Sequence, residues 1–212
     1  MTAAAPITRG TIGVLRRMIR PPTAPVEKCD LCSAPLASRH EHLVEPGSRR
    51  LMCACQACAV LFSSQQGARF RRVPQWAARL IDFQLSDAQW DSLLIPINLA
   101  FFFRNSSNGR TIAVYPSPAG ATESLLDLEA WREIAAANPR LDEMRPDVEA
   151  LLVNRTTAQF DYYLVSIDRC YELVGLIRSH WKGLSGGPKV WEAIHLFFEN
   201  LKSTTTEASS HA

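Results

Sequence analysis

Apolar positions change style along this 212-residue chain near residue 80. Before it they come as short pieces between cysteines and turn residues; after it they come as longer runs with a helical or strand period. Residues 86–94 open with Ser86 and Gln89 in capping-box spacing and put Trp90, Leu93 and Leu94 on one face, which predicts a short helix. The runs 99–104 and 110–115 flank Asn105-Ser106-Ser107-Asn108-Gly109, a turn composition that predicts a hairpin. A helix is expected over 123–137, with Leu125, Leu128, Trp131 and Ile134 inward and Asn138-Pro139 ending it. Strands over 149–154 and 160–166 follow. Asp168 then reads as the cap of a helix reaching Trp181, with Cys170, Leu173, Val174, Ile177 and Trp181 on one face. The last helix, 189–202, buries Val190, Ile194, Phe197, Phe198 and Leu201, and the polar residues 204–212 read as a disordered tail.

The front of the chain is organised differently. Strand-like pieces at 42–45, 50–53 and 69–73 surround the turn Pro46-Gly47-Ser48, and the text AVLFSS after Cys58 begins a helix. A knuckle, a hairpin and a second knuckle entering a helix is the pattern of a zinc-ribbon or treble-clef module. Within 1–25, residues 11–20 place Ile12, Leu15, Met18 and Ile19 on one helical face before the Pro21-Pro22 stop, a segment too short to be stable alone. The fold expected is therefore α+β: a flexible basic segment (1–25), a cysteine-rich module (26–75), an α+β domain with an antiparallel sheet and several helices (80–203), and a disordered tail (204–212).

Composition narrows the setting. An apolar content of 47% with 21% charged residues suits a globular chain with a sizeable core. The longest apolar stretch, 93–103, is broken by Pro96 and Asn98, so no membrane span is expected. The N-terminal arginines follow the small apolar stretch instead of preceding it, which argues against a secretory signal and for the cytoplasm. Net charge is +2, but residues 1–80 carry 12 Lys+Arg against 4 Asp+Glu, and the remainder carries 11 against 17. A basic front can face nucleic acid or an acidic protein patch. Arg69, Arg71 and Arg72 beside Phe70 are the residues that would serve nucleic acid. Four thiolates on one Zn²⁺ would leave about −2 locally and cancel part of that excess.

Five of the six cysteines lie between Cys29 and Cys58, in pairs and not scattered as a disulfide framework. CDLC at 29–32 and CQAC at 55–58 are two C-x-x-C turns, each able to fold both sulfurs toward one point. The 22 residues between Cys32 and Cys55 leave room for a hairpin. Cys29, Cys32, Cys55 and Cys58 are thus the expected ligands of a structural zinc. Iron is the alternative, as in a rubredoxin-like electron carrier, but Ser33 and Ala59 stand where the rubredoxin turns carry glycine.

Cys53 shares its strand period with Cys55, which places it beside the metal, where it either replaces Cys55 or supports it from outside. His40 and His42 have the same spacing. With Cys53 they either form a second, more open metal site or simply hydrogen-bond to sulfur or carbonyl groups. No catalytic motif accompanies these residues, so an enzyme is not expected. The text GLSGGPK (183–189) lacks the glycine and the Ser/Thr of a phosphate loop, and Pro188 opening a helix accounts for it. YPSPAGATES (115–124) reads as a long polar turn whose Ser117, Thr122 and Ser124 have no neighbouring base, and His180 and His195 sit within helices.

Taken together, CDLCSAPLASRHEHL, LMCACQACAVLF, IPINLAFFFRNSSNGR, YPSPAGATESLLDLEAW, DVEALLVNR and DRCYELVGLIRSHWKGLSGG closely resemble an uncharacterised bacterial family associated with nickel-iron hydrogenase gene clusters. The resemblance runs from about Cys29 to Phe198. It implies an accessory role in assembling or serving a hydrogenase, with a hydrogenase subunit or maturation factor as partner, and it implies no reaction. A variant of that role would use His40, His42 and Cys53 to handle nickel or iron.

Overall fold

A computed structural model describes residues 26–64, 67–124, 128–183 and 186–210. The expected segment at 11–20 and Leu125 lie outside these residues. The described residues form an α+β structure with two sheets and five helices.

The small sheet has the order β2-β1-β3, built from β1 (Glu41–Glu45), β2 (Arg50–Ala54) and β3 (Arg71–Arg72), all antiparallel. Helix α1 (Gln56–Ser63) follows β2 directly. Leu43, Met52, Ala54, Cys29, Cys58 and Ala59 make a small core of their own.

The large sheet contains β4 (Ala77–Leu80), β5 (Leu99–Arg104), β6 (Thr111–Ser117), β7 (Gly120–Ser124), β8 (Glu149–Asn154), β9 (Asp161–Ser166) and β10 (Thr206–Ala208), in the order β10-β4-β9-β8-β5-β6-β7. Every neighbouring pair is antiparallel except β10 with β4. Its central strands read as nearly continuous apolar runs because both faces are covered. Leu99, Phe101, Phe103, Ala150, Leu152, Tyr163 and Val165 point to one face, under α4 (Ile167–His180) and α5 (Pro188–Thr204). Ala100, Phe102, Leu151, Val153, Tyr162 and Leu164 point to the other, under α2 (Asp87–Ser92), α3 (Leu128–Ala137) and the 3₁₀ turn Pro139–Glu143.

Val44 and Val73, from the cysteine-rich part, belong to the first of these cores. The small sheet therefore packs on the α4 side, where an apolar contact continues from one module into the next.

Several expectations are corrected. Residues 115–124 are no polar turn: β6 runs through Pro116 to Ser117, and β7 returns beside it with Tyr115 opposite Thr122. Helix α3 therefore begins at Leu128, not at 123, because the stretch 120–124 completes backbone bonds at the sheet edge that a helix start would leave open. Leu94 is exposed at φ +53, just past α2, so only Trp90 and Leu93 of the three expected residues face inward. Asp168 is not the cap of α4; Ser166 holds that position and Asp168 lies inside the first turn.

Residues 206–210 of the tail are structured where disorder is expected. Thr206–Ala208 add a strand to β4, and Ser209 and Ser210 both bond the Asp82 carboxylate, with Ser210 fully buried. Its polarity misleads because the strand pairs through backbone groups, which carry no hydropathy signal. The strands of the large sheet run from β4 at Ala77 to β10 at Ala208.

Candidate metal centre

The hairpin β1–β2 and the start of α1 bring the two C-x-x-C turns face to face. The first turn is a knuckle: the Ser33 amide donates to the Cys29 carbonyl (2.8 Å), and Ser33 itself takes the left-handed φ of +62. Asp30 staples this knuckle to β2, since its amide donates to the Cys53 carbonyl (2.9 Å) and its Oδ2 accepts from the Cys53 amide (2.8 Å). The second turn differs from the first. Cys55 is the N-cap of α1, its sulfur accepting from the Cys58 amide at 3.5 Å, so Cys58 lies in the first helical turn.

The four sulfurs of Cys29, Cys32, Cys55 and Cys58 all lie within 4.8 Å of one another. Cys32 Sγ and Cys55 Sγ are 3.7 Å apart. A tetrahedral ion with metal–sulfur bonds of about 2.3 Å requires sulfur–sulfur edges of about 3.8 Å. The donor set thus fits a metal ion such as zinc. All six cysteines are free thiols, and Cys29 and Cys58 are buried.

The electrostatics of the cluster divide its members. Burial raises the Cys29 thiol, but the amides of Cys55, Leu31 and Cys32 aimed at it outweigh burial and bring it down to about 6. Burial, followed by the neighbouring sulfurs of Cys55, Cys32 and Cys29, pushes Cys58 up to about 12. Four thiols crowded this closely cannot all ionise without a cation between them.

Cys53 does not join this group. Strand β2 ends at Ala54, so Cys55 has left the strand and the period that would align it with Cys53 no longer applies. Cys53 instead lies opposite His42 in the ladder and groups with His40 and His42, whose donor atoms also lie within 4.8 Å of one another. His40 Nδ1 donates to the Ala37 carbonyl (2.9 Å), and His42 Nδ1 bonds Asp168 Oδ2 (2.7 Å). That carboxylate, from α4, is the site residue that sequence reasoning misassigns. Burial pushes the Cys53 thiol up, and the Glu27 and Asp30 carboxylates add to the effect. Burial raises Asp168, yet the bonds from His42 and Ser166 outweigh it and hold the carboxyl below its ordinary range.

Among the described residues of the basic front, several arginines are paired. Arg72 makes two bonds to Glu41, Arg69 pairs with Glu45, Arg71 with the buried Asp147, and Arg49 with Glu123 of β7. Each of these pairs offsets the charge of one arginine locally. Among the described residues, no helix is long and apolar enough to cross a membrane.

No curated protein and no solved structure matches the chain significantly. A family match does extend over residues 28–205, from the first knuckle through the whole of α5, and so takes in both cysteine turns, the small sheet and every strand of the large sheet except β10. On that match, the chain belongs to the family of unknown function DUF5947.

Proposed function

We propose that this is a non-catalytic, cytoplasmic zinc-binding accessory protein that serves a protein client, with assembly or maturation of a nickel-iron hydrogenase as the process in view. The observation that carries the reading is the closed donor set of Cys29, Cys32, Cys55 and Cys58. Four protein sulfurs fill a tetrahedral ion and leave no position for a substrate, as in zinc sites that hold a fold together. The asymmetry of the two turns, one a knuckle and one the start of α1, favours a treble-clef-like zinc module over the paired knuckles of a rubredoxin.

An ion held there would fix the small sheet, and Val44 and Val73 join that sheet to the core of the large domain. The client itself is suggested by the family resemblance. Affinity purification from cells expressing the hydrogenase gene cluster tests it: recovery of a hydrogenase subunit or maturation factor is expected. Recovery of neither, together with unchanged hydrogenase activity after deletion, contradicts the client assigned.

A further inference from the structure

We propose that His40, His42 and Cys53 form a second metal site, one that binds a divalent transition-metal ion through three protein ligands and keeps a coordination position open. His42 is in β1 and His40 stands just before that strand, with the two ring centroids 4.8 Å apart, and Cys53 stands opposite His42 on β2. One ring nitrogen of each histidine and the Cys53 sulfur lie within 4.8 Å of one another.

The hydrogen bonds of the two rings fix which nitrogen is available. Ala37 O is a carbonyl and Asp168 Oδ2 a carboxylate oxygen, and both only accept, so each Nδ1 carries the hydrogen. In the neutral imidazoles the lone pair is then on Nε2, the arrangement that holds metal-binding histidines in place. His40 supplies an independent sign. Its side chain is 8% exposed, yet its Nε2 is buried without any hydrogen-bond partner. A buried acceptor with nothing to accept from is costly, and metal-ligand atoms of His42 and Cys53 within 4.8 Å of a ring nitrogen of His40 point to a cation as its partner.

Two imidazoles and one thiolate select borderline ions such as Zn²⁺, Co²⁺ or Ni²⁺ over Mg²⁺ or Ca²⁺. On binding, Cys53 releases its proton to solvent and the imidazoles bind in their neutral form. The His42 side chain is 26% exposed and Cys53 is only partly buried, so the fourth position opens on their side, where a water or a ligand atom from another molecule can occupy it. Asp168 reaches His42 from α4 of the large domain, which makes it a positioning residue and links occupancy of the site to the docking of the two modules.

The test uses the full chain with zinc already in the four-cysteine centre, titrated with Co²⁺ and followed by visible and near-ultraviolet absorption. Binding of about one further equivalent is expected, with the visible bands of a tetrahedral ion and a thiolate-to-cobalt band that disappears in C53S. H40A and H42A should lose the added spectrum while keeping their zinc and their circular dichroism, which shows that the fold and the first centre survive. D168N should bind about 10-fold more weakly or worse. No further Co²⁺ on the native chain, cobalt taken up only by release of the bound zinc, or undiminished binding in both histidine variants would overturn the site. Unchanged affinity in D168N would overturn the part given to Asp168.

Discussion

His42 Nδ1 and Asp168 Oδ2 lie 2.7 Å apart across 126 residues of sequence, the former on the small sheet and the latter in the first turn of α4. The bond joins two modules that the chain lays out separately. Asp168 has its carboxyl held below the ordinary 3.8 by the bonds from His42 and Ser166, which outweigh its burial. A carboxyl depressed by folding stabilises the fold above its unfolded value, and the contribution fades as pH falls through the folded value. D168A should therefore lower stability at neutral pH by about 2 kcal/mol, the worth of a hydrogen bond to a charged group. Urea unfolding at pH 7 and at pH 3 checks this, with the difference between native chain and variant shrinking at the lower pH.

Asp82 anchors the C-terminal strand. Ser209 Oγ and the Ser210 amide donate to its carboxylate and bring it down to about 2. The anchoring is thus complete above the ordinary value of 3.8 and is lost toward pH 2. D82A should free β10 from β4, read as faster amide exchange at 206–208 and, by the loss of edge pairing, at 77–80.

Gly186 sits where a side chain has no room. At φ +85, an added Cβ would lie 2.7 Å from Val190 Cγ1 and 3.2 Å from Trp181 Cε3, both in the joint between α4 and α5. G186A should cost about 1–3 kcal/mol through overpacking and backbone strain, measured by the same unfolding experiment.

Cys170 is fully buried in the α4 core, and burial raises its thiol well above the ordinary value. In the native chain it should resist alkylation that reaches exposed thiols of the metal-depleted protein, and react only on unfolding. Peptide mapping after timed alkylation distinguishes the two.

The parts of the fold that follow a strong period are legible in the sequence. The run 149–154 is a strand end to end, the capping box of Ser86 and Gln89 opens α2, and the face through Cys170, Leu173, Val174 and Ile177 lines α4. What escapes is structure carried by backbone pairing alone. Strand β7 uses Gly120, Thr122 and Glu123 at a sheet edge, and β10 is Thr-Glu-Ala, so neither leaves an apolar signature. Within the site, cysteine spacing foretells which sulfurs meet because the ligands are local in sequence. It says nothing of Asp168, since a contact over 126 residues depends on how two modules dock. Cys53 and Cys55 do not share a strand period because Cys55 leaves the strand to cap α1.

In the function proposed, Cys29, Cys32, Cys55 and Cys58 hold a structural zinc. Metal analysis of the chain purified anaerobically and passed through a chelating column tests it most directly, with C29S as the comparison. A colourless protein that retains about one tightly held zinc is expected, and a C29S variant that loses it along with the ordered small sheet. A coloured protein containing iron, or a native chain that emerges folded and free of metal, would contradict it.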